Sequence, residues 1–206
     1  QVAPGGRIDP LGASGVYDCS VGPAPGETAF RVAAFEDELY RIELSLPDGG
    51  SVGVAKYPWQ LATATLYRER VGAQGAAKFR RLTGSLRLLQ ELKPGQRIAA
   101  DYAEAPLDGS SPPLEWRYEI TVGAPAASFG PSGMGEIPVT PVDESRRRYV
   151  DGQNAPLPLA EATSGFEILE TARIVYAPDL GAPLRIERMR DGKMIEACSL
   201  AAFRKP

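Results

Sequence analysis

The residues of this chain that could do chemistry are two cysteines, scattered carboxylates, a serine set among glycines and a group of bulky aromatics. There is no histidine, which removes the commonest general base and the commonest metal ligand. Any catalysis would fall to carboxylates, lysine, tyrosine, serine or threonine. Two cysteines without histidine cannot build an ordinary structural zinc site, so neither a metal nor a cofactor is expected.

Cys19 and Cys198 lie near opposite ends of the chain, each in a strand-like segment: Gly15–Val21 and Ile195–Leu200. They could be two unrelated buried thiols, since cysteine is among the most buried residue types. The even count and the exported character set out below favour a bridge between them. No Cys-x-x-Cys motif exists, which argues against a redox enzyme.

The acids cluster as Glu36-Asp37-Glu38, Asp101 with Glu104, Asp143 with Glu144, and Glu167 with Glu170. A facing pair of acids could hydrolyse a glycosidic bond. Adjacent acids on a strand point to opposite faces, however, so sequence neighbours do not make that pair. Calcium would need several oxygens converging from one loop, and no Asp-x-Asp-x-Asp-Gly pattern is present. Solvated surface is the simpler reading of each cluster. Ser132, within Gly130–Gly135, lacks the nucleophile-elbow spacing and a partner histidine. No glycine run leads into Gly-Lys-Ser/Thr, so no phosphate-binding loop is expected. Trp59, Trp116, Tyr118, Tyr149, Phe166 and Tyr176 could line a pocket for a sugar or lipid chain. They could equally pack the core, as aromatics usually do in small β domains. Trp59, Trp116, Tyr118 and Tyr176 are the candidate ligand-lining residues.

The elements that must position these groups read as strands. Leu114, Trp116, Tyr118, Ile120 and Val122 alternate with Glu115, Arg117, Glu119 and Thr121, a period of two with one apolar and one wet face. Tyr40, Ile42, Leu44 and Leu46 repeat the pattern and stop at Pro47-Asp48-Gly49-Gly50, a strong turn. Ile98, Ala100 and Tyr102 form a weaker third. Phe166 to Tyr176 is strand-like in its β-branched and aromatic content. Leu184 to Met189 and Met194 to Leu200 flank Arg190-Asp191-Gly192-Lys193, a hairpin signal because both central positions accept positive φ. Pro58 to Val71 suits a helix or a strand. Residues 76–92 have partly helical leucine spacing, interrupted at Thr83-Gly84-Ser85. Residues 123–165, rich in Gly, Pro and Ala, are expected to hold long loops around a strand at Ile137 to Tyr149.

A chain of 206 residues with 43% hydrophobic and 24% charged residues is a folded globular protein. Net charge is −3 and the clearest basic run, Arg146-Arg147-Arg148, follows Asp143 and Glu144. Nucleic-acid binding needs concentrated positive surface, so it is not expected. No apolar run reaches the length of a membrane-spanning helix. Residues 1–6 lack the basic start and apolar stretch of a signal peptide; they read as a mature N-terminus after cleavage or a trimmed one. Residues 1–14, rich in Gly and Pro, are expected to form a loose arm. Residues 15–206 are expected to form a single β-rich domain, with a possible sub-boundary near 92. The expected fold class is mostly β: an antiparallel curved sheet, a sandwich or an open or half barrel, with one or two short helices.

Leu92-Lys93-Pro94-Gly95-Gln96-Arg97, followed by a strand and Glu115-Trp116-Arg117-Tyr118-Glu119, is one familiar stretch. Val175-Tyr176-Ala177-Pro178-Asp179-Leu180-Gly181-Ala182-Pro183-Leu184-Arg185 is another. Together, over the second half of the chain, they resemble a loose group of uncharacterised bacterial periplasmic β-domain proteins. The resemblance implies a half-barrel-like fold in the cell envelope and supplies no catalytic residues, because its motifs are turn chemistry. Gly135-Glu136-Ile137-Pro138-Val139-Thr140-Pro141 departs from the group, which carries a Pro-Ala-Gly-Thr-aromatic stretch there.

The expectation is a non-enzymatic, periplasmic or secreted protein of the bacterial envelope, binding an amphiphile, an envelope polymer such as a glycan, or an envelope protein. The alternative is a carboxylate- and tyrosine-dependent hydrolase or lyase acting on an envelope polymer.

Overall fold

Period-two alternation runs through most of the chain, and the structure, a computed structural model, converts it into strands. It describes residues 2–3, 7–22, 25–37, 39–56, 61, 67–69, 79–83, 93–106 and 111–206. The strands are β1 (Val2–Ala3), β2 (Arg7–Ile8), β3 (Ser14–Val21), β4 (Gly26–Glu36), β5 (Leu39–Ser45), β6 (Ser51–Lys56), β7 (Tyr67–Glu69) and β8 (Phe79–Thr83). They continue with β9 (Arg97–Pro106), β10 (Leu114–Val122), β11 (Ala126–Phe129), β12 (Glu136–Val150), β13 (Pro156–Leu157), β14 (Phe166–Ala177), β15 (Ala182–Arg190) and β16 (Lys193–Arg204). A 3-10 helix spans Leu159–Ser164. Among the described residues no helix is long and apolar enough to cross a membrane.

β1 and β2 pair with each other; the remaining strands form one antiparallel sheet. Its order is β7-β6-β5-β4-β3-β16-β15-β14-β12-β10-β9-β8, with β11 and β13 attached to β12. Among the described residues no ladder joins β7 to β8, so the sheet is open. It also curls. Tyr40 on β5 and Tyr176 on β14 stand five strands apart in the order, about 24 Å in a flat sheet at ~4.8 Å per strand. Even so, Tyr176 acts electrostatically on Tyr40, and Phe30, Val32 and Tyr40 belong to one core with Tyr118, Ile120, Val142 and Ile174. Register shifts in the β3–β16, β4–β5, β14–β15 and β15–β16 ladders are the kind of irregularity that bends a strand and increases its twist.

The two ends of the chain meet in the middle of the sheet, where β16 pairs with β3. Cys198 and Cys19 are direct cross-strand partners there and form a disulfide, S–S 2.05 Å, across 179 residues of sequence. In the chain-entropy model a loop of that length is worth at most about 5 kcal/mol. The segment preceding β3 is docked from Asp9 onward. Gly12 N donates to Val32 O and Val32 N to Ala13 O, both at 2.9 Å, and the Tyr40 hydroxyl donates to Asp9 Oδ1 at 3.1 Å. Pro10 and Ala13 are buried.

Strands lie at 114–122, 39–45 and 97–106, where alternation places them, at 166–177, where β-branched and aromatic content does, and at 182–190 and 193–204, on either side of the Asp-Gly turn. The strand expected at Ile137 to Tyr149 is β12, fifteen residues long and paired with β10, β11, β13 and β14; the expected long loops around it differ in carrying β11, β13 and the 3-10 helix. The glycines at 130, 133 and 135 serve a turn, where Gly130 N donates to Gly135 O at 2.8 Å, while Pro138 and Pro141 lie within β12. Of the two ambiguous stretches, Tyr67–Glu69 and Phe79–Thr83 are strands; most of the rest, with the sub-boundary near 92, lies outside the described residues.

The last hairpin turns at Asp191 (φ 48°) and Gly192 (φ 77°), the left-handed pair that a two-residue turn needs. Asp191 N donates to Leu169 O at 2.9 Å, and Leu169 N donates back to Asp191 Oδ1 at 3.1 Å. Leu184 is buried while Arg185 is exposed, as alternation requires. A Cβ on Gly192 would meet nothing within 4 Å, so substitution there tests backbone conformation alone. Gly192→Val is expected to cost about 1–2 kcal/mol for a left-handed β-branched residue, lowering the melting temperature by roughly 2–8 °C. Gly152→Val, at a position equally open and without left-handed φ, should leave it unchanged; equal melting of both variants would contradict the turn assignment.

Candidate functional site

The two faces of the curled sheet differ in kind. The outer face carries exposed cross-strand ion pairs: Arg97–Glu119, Arg117–Asp101 at 3.3 Å, Arg173–Asp143 at 3.4 Å and Arg147–Glu167 at 3.6 Å. Such pairs are each worth about 0–1 kcal/mol and keep that face wet. They place Asp101, Asp143 and Glu167 on the solvated face, as expected, whereas Glu144 and Glu170 are buried and correct the solvated reading of their clusters, because strand alternation turns them to the inner face.

The inner face is apolar at one end. β4, β5 and β6 each turn an aliphatic row inward, and these rows approach β15 and β16 because the sheet curls. Between them lies a cavity of about 300 Å³ whose walls include Val32, Ile42, Leu44, Val52, Val54 and Ile186. This is the lower end of the range for small-molecule sites. The Cys19–Cys198 disulfide forms part of the wall, and Lys56 and Glu196 are polar groups lining it.

Beyond Glu196 the inner face becomes ionic. Arg188 donates to Glu196 Oε2 at 3.0 Å and reaches Glu170 at 3.5 Å. Glu170 is 4% exposed and also accepts from Arg146 and Arg190, each at 2.6 Å. The ladders explain the convergence. Glu170 on β14 stands directly opposite Arg146 on β12 and Arg190 on β15, so three side chains of one cross-strand row share a face. Burial pushes the Glu170 carboxyl up, but the guanidiniums of Arg146, Arg190 and Arg188 outweigh it and hold the group below the usual carboxylate range. Arg148, two residues along β12 on the same face, is half-buried. Burial lowers its pKa, and the nearby Arg190 and Arg146 add to that. The guanidinium carbons of Arg146 and Arg148 lie 4.1 and 5.5 Å from the Trp116 ring centroid, within cation–π range. Glu144, also buried, accepts from the Tyr118 hydroxyl at 2.8 Å, and Arg146 donates to the Tyr102 hydroxyl at 3.2 Å.

Of the candidate lining residues, Trp116, Tyr118 and Tyr176 are buried in the core and none is in the cavity wall. Trp116 lies beneath the arginines, Tyr118 holds Glu144, and Trp59 lies outside the described residues. Phe166 is exposed at the start of β14, and the Tyr149 hydroxyl donates to Glu167 at 3.3 Å. Tyr17 and Tyr40 are kept protonated: burial first, then Tyr176, raises Tyr17, while burial and the hydrogen bond to Asp9 raise Tyr40.

Sequence reasoning missed the ionic cluster. It took Arg146-Arg147-Arg148 as one basic run, whereas strand alternation splits it. Arg147 pairs outside with Glu167, and Arg146 and Arg148 turn inward. The parity that places Leu184 and Ile186 on one face also places Arg188 and Arg190 there, and this signal could have found them.

No protein-family model matches the chain, and no curated protein matches it in sequence. Among solved structures it is similar to the crystal structure of the hypothetical lipoprotein YmcC from Escherichia coli (K12), with a TM-score of 0.48 and 11% identity, covering 94% of this chain and 84% of that one.

Removing the central carboxylate leaves guanidiniums facing one another in a buried site. Glu170→Gln is therefore expected to cost about 3–5 kcal/mol, as for one partner of a buried pair. The folded pKa is depressed, so this contribution is complete above the unfolded value of about 4.3 and is lost as pH falls through the folded one. Denaturant unfolding should show a constant gap between variant and wild type near neutral pH that narrows as pH drops below about 4; a gap independent of pH down to 3 would contradict it.

Proposed function

We propose that the protein is a non-enzymatic binder of an amphiphile in the bacterial cell envelope, taking an apolar chain into the cavity between β4–β6 and β15–β16. The observation that carries this reading is the cavity itself, about 300 Å³ with mainly aliphatic walls, adjoining a charged end of the same inner face. An apolar space open to a ligand and bordered by a few convergent polar groups is the usual form of a small-molecule site. The disulfide supports an oxidising compartment, which for a bacterium is the envelope or the medium.

Binding is preferred to turnover for chemical reasons. Glu144 and Glu170 are diagonal neighbours on the inner face, two buried acids on adjacent strands among the described residues. Glu170 is surrounded by three arginines and Glu144 is engaged by Tyr118. Tyr17 and Tyr40 are held as neutral donors, a poor state for a general base. These groups suit a hydrolase or lyase less well than a holder of a ligand.

Displacement of N-phenyl-1-naphthylamine by single-chain alcohols of increasing length tests the reading. Each buried methylene contributes about 0.8 kcal/mol, so affinity should rise roughly fourfold per methylene and level off once the cavity is full. Leu44→Trp, which fills the space, should remove most of the binding. Affinity independent of chain length, or unaffected by Leu44→Trp in a variant that melts normally, would overturn it.

A further inference from the structure

The charged end of the inner face carries more cation than it uses. Arg146, Arg188 and Arg190 all converge on Glu170, and Arg188 also takes Glu196. Arg148 is different. Among the described residues no carboxylate lies within ion-pair distance of it; burial and the guanidiniums of Arg190 and Arg146 outweigh Glu170 and Asp191, which act on it favourably from further away. A half-buried cation with no ion-pair partner of its own is a place where an added anion is stabilised.

A second observation comes from the neighbouring strand. Trp116 is 4% exposed, and its indole Nε1–H has no hydrogen-bond acceptor. Buried donors are satisfied in the great majority of cases, and an exception calls for an explanation, a bound ion or a water among them. Trp116 stands one residue beyond Arg117, which pairs with Arg147 on β12, and its ring lies 5.5 Å from the Arg148 guanidinium carbon. A cation without an ion pair therefore lies over the ring of a tryptophan whose N–H has no acceptor. Arg148 is half-buried and the Arg190 side chain is 52% exposed, so the cationic side of the site is reachable from solvent. The ion-pair chain Glu196–Arg188–Glu170 runs from the wall of the apolar cavity to this point.

We infer that Arg148 and Arg190, with the Trp116 indole N–H beside them, bind an oxyanion, phosphate or carboxylate, that is the head group of the amphiphile whose chain fills the cavity. This rests on the amphiphile reading above and adds the chemistry of the ligand's polar end. Guanidiniums suit such a group because their planar donors match two oxygens at once.

Calorimetric titration with dodecyl phosphate, monododecanoyl glycerol and inorganic phosphate separates the claims. Arg148→Gln should weaken dodecyl phosphate about tenfold or more, as loss of a charge-assisted hydrogen bond implies, and leave the neutral glycerol ester unchanged. Arg148→Lys, which keeps the charge, should recover much of the loss and serves if the glutamine variant folds poorly. Leu44→Trp should weaken both dodecyl ligands. In a Trp59→Phe background, dodecyl phosphate should shift the emission of Trp116 and the neutral ester should not. If Leu44→Trp removes both dodecyl ligands while Arg148→Gln affects neither, the head-group site is wrong and the amphiphile reading stands. If inorganic phosphate binds as tightly as dodecyl phosphate, with Arg148→Gln weakening it and Leu44→Trp not, the ligand is a free anion and the head-group assignment is overturned.

Discussion

Among the described residues no second sheet covers the large one, which must therefore bury its own apolar face, and this constraint organises the molecule. A sandwich would press a second sheet on Phe30, Val32, Ile120 and Ile174. Here the same strands bend until β5 approaches β14, and the N-terminal segment closes over β4 through Gly12, Ala13 and Asp9. The Tyr17 hydroxyl reaches over β16 to the Pro183 carbonyl at 2.7 Å. The disulfide locks β3 to β16 at the middle of the curl. The cavity lies on the inner face over neighbouring strands from β6 through β3 to β15, with the disulfide in its wall.

The ionic cluster follows from the same geometry. Strands as long as β12 and β14 carry their inward faces past the point where the apolar core ends, and the inward positions beyond that point become Arg146, Arg148 and Glu170. Glu170 is the centre of this region because it alone faces a guanidinium on each neighbouring strand. Buried ion pairs rarely stabilise a fold more than apolar residues of the same size, so stability is a weak reason for such a cluster. Its placement next to an aliphatic cavity gives the inner face the polarity of an amphiphile.

Much of the fold was legible in the sequence because it depends on local pattern. Leu114–Val122 is a strand at the residues its alternation marks, and Asp191-Gly192 has the left-handed backbone its composition requires. The cysteines pair, although their end-to-end contact depends on a long-range ladder that no local pattern encodes. The cavity was not legible. Its walls are aliphatic residues that look like ordinary core, and only the curl separates a filled core from an open space. The aromatics singled out for ligand contact drew attention by size, yet bulk is also what a core needs, and Trp116, Tyr118 and Tyr176 are buried. The Arg146-Arg147-Arg148 run was hidden by being read as composition instead of alternation.

The central claim is that the inner face of the curl, and not the charged outer face, receives an amphiphile. Intermolecular nuclear Overhauser effects from unlabelled dodecyl phosphate to isotope-labelled protein measure this directly. The expected result is contact between the chain methylenes and the methyl groups of Ile42, Leu44, Val54 and Ile186, with the methylene next to the phosphate close to Arg148 and Arg190. Contacts confined to exposed side chains such as Phe129 and Phe166, with the inner methyl groups silent, would contradict it.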